Sequence, residues 1–99
     1  GGLNELNPIT QQFVQYLPKL NDSITISNIN IKCLYIDLKN NLWIGTYGGG
    51  VNKLSPNENY GNASPFIHYK HIEGDNYTIS NNFINGICED DQENIWIAT

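Results

Sequence analysis

The stretch Asn40–Leu54, NNLWIGTYGGGVNKL, concentrates the residues of this chain that could do chemistry. Gly45 and Gly50 have the spacing that opens a phosphate-binding loop, Gly-x₄-Gly, but Val51-Asn52 follow where Lys and Ser/Thr must reach phosphate and magnesium. The residues after the glycines alternate as a strand, so no helix N-terminus would face an anion. The cluster reads instead as a tight hairpin turn in which glycine supplies positive φ. Two acidic turns, Asp37–Asn41 (DLKNN) and Asp90–Asn94 (DDQEN), invite comparison with calcium loops. Both lack the alternating ligands, the central Gly and the terminal Glu of such a loop. They read as turns whose Asp accepts backbone N–H bonds. His68 and His71 are three apart in a predicted strand, so they face opposite ways and do not chelate. Cys33 and Cys88 are too few for a metal framework and are read as small buried hydrophobes. No cofactor and no catalytic set is expected.

The bulk properties narrow the field further. Ninety-nine residues make at most one ordinary domain, with 39% apolar residues for a core. The formal charge is −5, and five Lys with no Arg provide no basic groove for nucleic acid. No apolar run approaches the ~18 residues of a membrane span. Asn21, Asn62 and Asn76 open Asn-x-Ser/Thr sequons, as expected by chance in so Asn-rich a chain.

The elements that must position these residues emerge from self-comparison. Phe13–Thr46 laid over Phe66–Thr99 at an offset of 53, without a gap, gives 13 identities in 34 positions. They include Asp37/Asp90, Trp43/Trp96 and Thr46/Thr99. Within the unit four strands are predicted: Ile31–Asp37, Leu42–Tyr47, Val51–Ser55 and Phe66–His71. The first is apolar on both faces, as for a strand buried on both sides. The loop Pro56–Pro65 absorbs an insertion, SPNENYGNAS, that lengthens the period. Leu3–Tyr16 is read as irregular chain leading into a strand, and Gly1-Gly2 as vector residue. Four antiparallel strands per repeat of this length define a β-propeller blade. The expected fold is therefore all-β: four-stranded antiparallel blades, a partial propeller of fewer than two blades. Residues 1–12 form the lead-in and 13–18 the outer strand of a preceding blade. Residues 31–72 are one complete blade, and 84–99 the first two strands of the next. A recurrent mid-strand Trp is expected to pack between blades.

These residues carry a family resemblance. IDLKNNLWIGTYGGGVNKL, preceded by FVQYLPKLNDSITISN, resembles the two-component regulator propeller repeat from about Phe13 to Thr99. Asp37, Leu42–Thr46 and Gly49-Gly50 are its most specific part. Ala98 departs from the repeat's Gly, which Gly45 retains. Asn41 and Asn94 stand where its turn often has Gly, a change that Asn tolerates at positive φ. The resemblance implies the periplasmic sensor of a Bacteroidetes-type hybrid two-component histidine kinase and response regulator. The whole protein would carry two seven-bladed propellers, an immunoglobulin-like module, a membrane span, and kinase, receiver and DNA-binding domains. It would detect oligosaccharides released from a glycan and switch on polysaccharide-utilisation genes. The segment itself would not be an enzyme.

Tyr47, Gly48 and Gly49 of one turn, with Asp75, Asn76 and Tyr77 of the connection between blades, are the expected ligand-proximal residues, on one face by strand alternation. Two alternatives compete: blades that only hold the ring and dimer together, and, less favoured, a propeller lyase or glycosidase. The last needs paired carboxylates at a ring centre, whereas Asp37 and Asp90 look like turn formers. Bare blade edges predict self-association.

Overall fold

The computed structural model describes residues 1–56 and 65–99, which form eight strands and no helix. The predicted insertion and the Asn62 sequon lie outside or largely outside those residues. β1 (Leu3–Asn7) pairs with β2 (Gln12–Tyr16). The strands β3 (Ile31–Ile36), β4 (Leu42–Thr46), β5 (Val51–Leu54) and β6 (Ile67–Tyr69) form one sheet in that order. Finally β7 (Gly86–Glu89) pairs with β8 (Ile95–Ala98), and every pairing is antiparallel. The chain is a whole four-stranded blade between two half blades.

The alternation of side chains shows how the sheets stack. Ile44, Leu42 and Leu54 of the complete blade face β1 and β2, where they meet buried Leu3 and half-buried Tyr16. Ile26 and Phe66 complete this core, and the Tyr16 and Phe66 rings meet edge to face at 5.7 Å. The opposite face carries Cys33, Trp43 and Gly45. A Cβ on Gly45 would lie 2.6 Å from Ile84, so the glycine lets the next blade approach. That blade answers with the complementary parity: Ile95 and Ile97 are half-buried, whereas Trp96 and Ala98 of the same strand are exposed.

Four expectations are corrected. Residues 3–7 are strand, not irregular chain. Leu3 opposes Tyr16 as Val51 opposes Tyr69, so β1 is the third strand of the preceding blade. Gly1-Gly2 are part of the fold rather than an appended scar. Gly2 and Gly50 share positive φ, +98° and +73°. Each N–H donates to a repeat-equivalent carbonyl, Ile29 at 2.7 Å and Asn82 at 3.0 Å. GGLNEL and GGVNKL are thus the same turn and strand written twice. The strand β3 is not buried on both sides: Leu34 and Ile36 are 53% and 65% exposed. They face the side where β1 and β2 supply only outer strands. Cys88, expected to be buried, is exposed; it shares the open face of β7–β8 with Trp96.

Candidate functional site

The most regular polar construction is the turn between the first and second strands of each blade. In the first copy Asp37 Oδ1 accepts the backbone N–H groups of Lys39 and Asn41 at 2.9 and 2.8 Å. Its Oδ2 accepts Asn41 Nδ2–H at 3.0 Å and the Trp43 indole N–H at 2.8 Å. Asp90 repeats the pattern with Gln92, Asn94 and Trp96, at 2.9, 2.9, 3.0 and 2.8 Å. Burial pushes the Asp37 carboxyl up, but the four donors outweigh it and the net shift is downward. Asp90 is held down to about 2, chiefly by the Trp96 indole and then by Asn94. A carboxylate that already accepts four bonds has no oxygen to spare for a metal ion and no proton to give near neutrality. The left-handed residue of the turn is Asn40 (φ 64°) or Glu93 (φ 65°), one place before the Asn41 and Asn94 expected from sequence. Asn41 and Asn94 are donors to the Asp instead.

The indole is thereby fixed in place. Trp43 is half-buried, tilted 30° against the Tyr69 ring at 5.7 Å, with Lys53 Nζ 5.6 Å from the ring centre. It lies against the seam with the next blade, which suits a packing residue. Trp96, on the open face, is 62% exposed.

The ends of the sheets show a different chemistry. Strand β4 runs to Tyr47 at the same end from which the chain leaves β6 towards β7. Tyr47 is 56% exposed and meets the Phe83 ring edge to face at 4.5 Å. Gly48, at φ +112°, donates its N–H to Asn82 O at 3.0 Å. Gly49 is buried, and its N–H donates to Thr46 Oγ1 at 2.9 Å while its carbonyl accepts the Ser27 hydroxyl at 2.8 Å. Thr46 and Asn52 are fully buried within this network: Asn52 Oδ1 accepts Ser27 N–H at 2.9 Å, and its Nδ2 donates to Ser27 Oγ at 2.6 Å. Such closure leaves Tyr47 and Phe83 as the outward rings, with Asn28 half-buried beside them and its Oδ1 accepting the Asn30 N–H at 2.8 Å. Asn28 Nδ2 lies 3.5 Å from the Tyr47 carbonyl.

Asp75, Asn76 and Tyr77 stand on the connection out of β6. Asp75 Oδ1 accepts the Tyr77 N–H at 2.9 Å, and the Tyr77 ring is fully exposed. Tyr77 borders a groove with Trp43, Tyr69 and Ile72, whereas the aromatic partner of Tyr47 is Phe83. The two predicted trios are therefore not brought together at one end: Tyr77 shares its groove with Ile95 at the start of β8, and its repeat equivalent Ile24 accepts the Phe66 N–H at the entry of β6, away from Tyr47. Phe83 and Asn28 were not singled out by sequence. Phe83 aligns with Asn30 in the repeat, and an aromatic that breaks a repeat is the signal that could have found it.

The histidines serve the scaffold. His68 Nε2 is bonded to the Thr25 carbonyl. His71 is bonded to the Ile79 carbonyl at 2.8 Å and to Glu73 at 3.1 Å. The Glu73 carboxylate, then the carbonyl, raises its pKa. Cys33 and Cys88 are free thiols, and burial pushes the Cys33 thiol up.

Upright antiparallel blades stacked face to face define a segment of a β-propeller. Residues 25–48 and 78–99 match the family model of the two-component regulator propeller, at the same 53-residue spacing as the internal repeat. The chain carries two repeats of that family. No curated protein shows significant sequence similarity to it.

Proposed function

We propose that this chain belongs to the periplasmic ligand-sensing propeller of a hybrid two-component sensor kinase, and that its loop end meets oligosaccharides derived from a glycan. The observation that carries the reading is the exposed Tyr47–Phe83 pair with the Asn28 amide beside it, set on a buried Thr46–Asn52–Ser27 network. An aromatic face beside amide donors suits a sugar ring, which offers C–H groups to the ring and hydroxyls to the amide. The family match to a two-component regulator propeller supports a sensory rather than a catalytic role, and both recurrent carboxylates are consumed by their turns. Signalling would follow from differential binding: a ligand that fits one arrangement of the sensor better shifts the population towards it.

The purely architectural reading has its own support, because Gly48 and Gly50 N–H groups are both bonded to Asn82 O and help hold two blades together. Calorimetry with a panel of plant and host oligosaccharides, on the chain and on Tyr47→Ala and Tyr77→Ala variants, separates the two. Binding that Tyr47→Ala abolishes while the fold persists supports sensing. No binding by any oligosaccharide, with Tyr47→Ala lowering stability alone, leaves the architectural role.

A further inference from the structure

We propose that a cavity on the outer side of the seam between β1–β2 and the complete blade, flanked by Lys19 and Lys70, takes an anionic sugar residue. It encloses about 620 Å³, within the usual range of a small-molecule site. The connection from β2 to β3 supplies one wall, from Pro18 to Ser23, and β6 with the residue after it supplies the other, His68 and Lys70. Ile26 and Ser27 complete the lining. All of these residues lie between positions 18 and 70, so the strands of other blades are not needed to form the cavity.

The internal repeat separates scaffold from site. Thr25 Oγ1 accepts the Lys19 N–H at 3.0 Å and donates to the Asp22 carbonyl at 3.1 Å. Thr78 makes the same two bonds with Ile72 and Asp75, both at 3.0 Å. The connection is thus folded alike in both copies, by residues that recur. The basic lining does not recur: Lys19 aligns with Ile72, Lys70 with Leu17 and His68 with Gln15. The shared fold therefore needs no cation at these positions. Two of the five Lys of a chain with net charge −5 nevertheless line one cavity. Among the described residues the ion pairs within 4.0 Å are Lys39–Glu93 and His71–Glu73, so neither ammonium has a carboxylate at that range. Asp22, the acid of the lining, has its Oδ1 on the Ile24 N–H at 3.1 Å. His68 is bonded through Nε2 to the Thr25 carbonyl and shapes the wall.

A carboxylate or sulfate accepts hydrogen bonds only, which suits two ammonium donors. Asn21 and Ser23 offer neutral partners for hydroxyls, and Pro18 and Leu20 an apolar surface for the C–H face of a ring. That a sugar carries the anion rests on the sensing reading above; the preference for negative charge rests on the two Lys. The following connection has Glu73 in place of Leu20 and Ile72 in place of Lys19, so the preference belongs to this seam.

Calorimetry on the full protein tests this with two pairs of probes: trigalacturonate and its methyl ester, and a sulfated galactobiose and its unsulfated form. At least one charged probe is expected to bind about tenfold or more tightly than its neutral counterpart. Lys19→Gln and Lys70→Gln each weaken that binding about three- to tenfold, and raising salt from about 0.05 to 0.5 M weakens it in the wild type. Both Lys are exposed, so the Gln variants keep the fold, which circular dichroism checks. Tyr47→Ala leaves charged-probe binding unchanged. Equal binding of charged and neutral forms overturns the proposal. So does binding that both Gln variants retain, or no binding by either charged probe. A protein that binds neutral oligosaccharides through Tyr47 but no charged probe keeps the sensing reading and loses this one. Lys-dependent binding of a charged probe, with no neutral oligosaccharide bound through Tyr47, does the reverse.

Discussion

Asp37→Asn is the sharpest test of the turn that fixes the repeat. The substitution preserves shape, and its Oδ1 can still accept the Lys39 and Asn41 backbone N–H groups. The other end of the group changes sign: an amide N–H₂ now faces the Trp43 indole N–H and the Asn41 amide, both donors, at 2.8 and 3.0 Å. A flipped amide only moves the conflict to the backbone pair. Asp37 is 7% exposed, so water cannot restore the lost partners cheaply. Two charge-assisted bonds at about 1.5 kcal/mol each put the loss near 3 kcal/mol. Urea unfolding at fixed protein concentration reads this as a lowered midpoint with an unchanged slope. Trp43→Phe removes the indole donor, and the cycle with Asp37→Asn is expected to show coupling of about 1 kcal/mol or more. An Asp37→Asn chain within about 0.5 kcal/mol of the parent, or a cycle with no coupling, refutes the idea that this carboxylate organises the turn.

Acid should act on the same device. Asp90 is held down to about 2 against an ordinary 3.8, so its contribution is complete above about pH 4 and is lost as pH falls through about 2. Asp90→Asn is expected to flatten the acid limb of a midpoint-against-pH plot in that window. Glu93 occupies the left-handed position of its turn at φ 65°, and its ion pair with Lys39 is long (4.0 Å) and exposed. Glu93→Gly should therefore stabilise the chain by about 0.5–1 kcal/mol in urea unfolding. Gly50→Ala should do the reverse: the new Cβ would strike the Tyr69 carbonyl, and φ is +73°, so a loss of more than about 2 kcal/mol is expected in the same assay.

The repeat was legible because an ungapped comparison works wherever the spacing holds at 53 residues, and that range contains the Asp, Trp and Thr of both copies. It failed at the N-terminal hairpin for a geometric reason. The turn from β1 to β2 uses four residues, Pro8–Gln11, whereas twelve separate β5 from β6. The offset therefore shifts, and GGLNEL falls out of register with GGVNKL although four of six residues agree. A comparison that allowed one gap would have found β1. The candidate site was only half legible. Tyr47 is visible as an aromatic at a strand end, but its partner Phe83 arrives from the next blade's connection, and nothing in the local pattern announces a contact across 36 residues.

The exposed apolar residues follow from the same geometry. Strand period decides which face a side chain joins, but the chain as a whole decides whether that face is covered. Ile97 and Trp96 are neighbours in one strand of one repeat; the first is half-buried against the complete blade and the second is 62% exposed. Its equivalent Trp43, with the same Asp bond, is half-buried because β7–β8 and the β6–β7 connection lie beside it. The difference between two identical residues in identical turns is thus a property of the stack. The same holds for Gly45 and Ala98. Ile84 approaches Gly45 so closely that a Cβ there would need the neighbouring blade to move, while the Ala98 methyl points from an uncovered face. Gly45→Ala should accordingly loosen the packing of the complete blade against the following one, read as a lowered midpoint in urea unfolding.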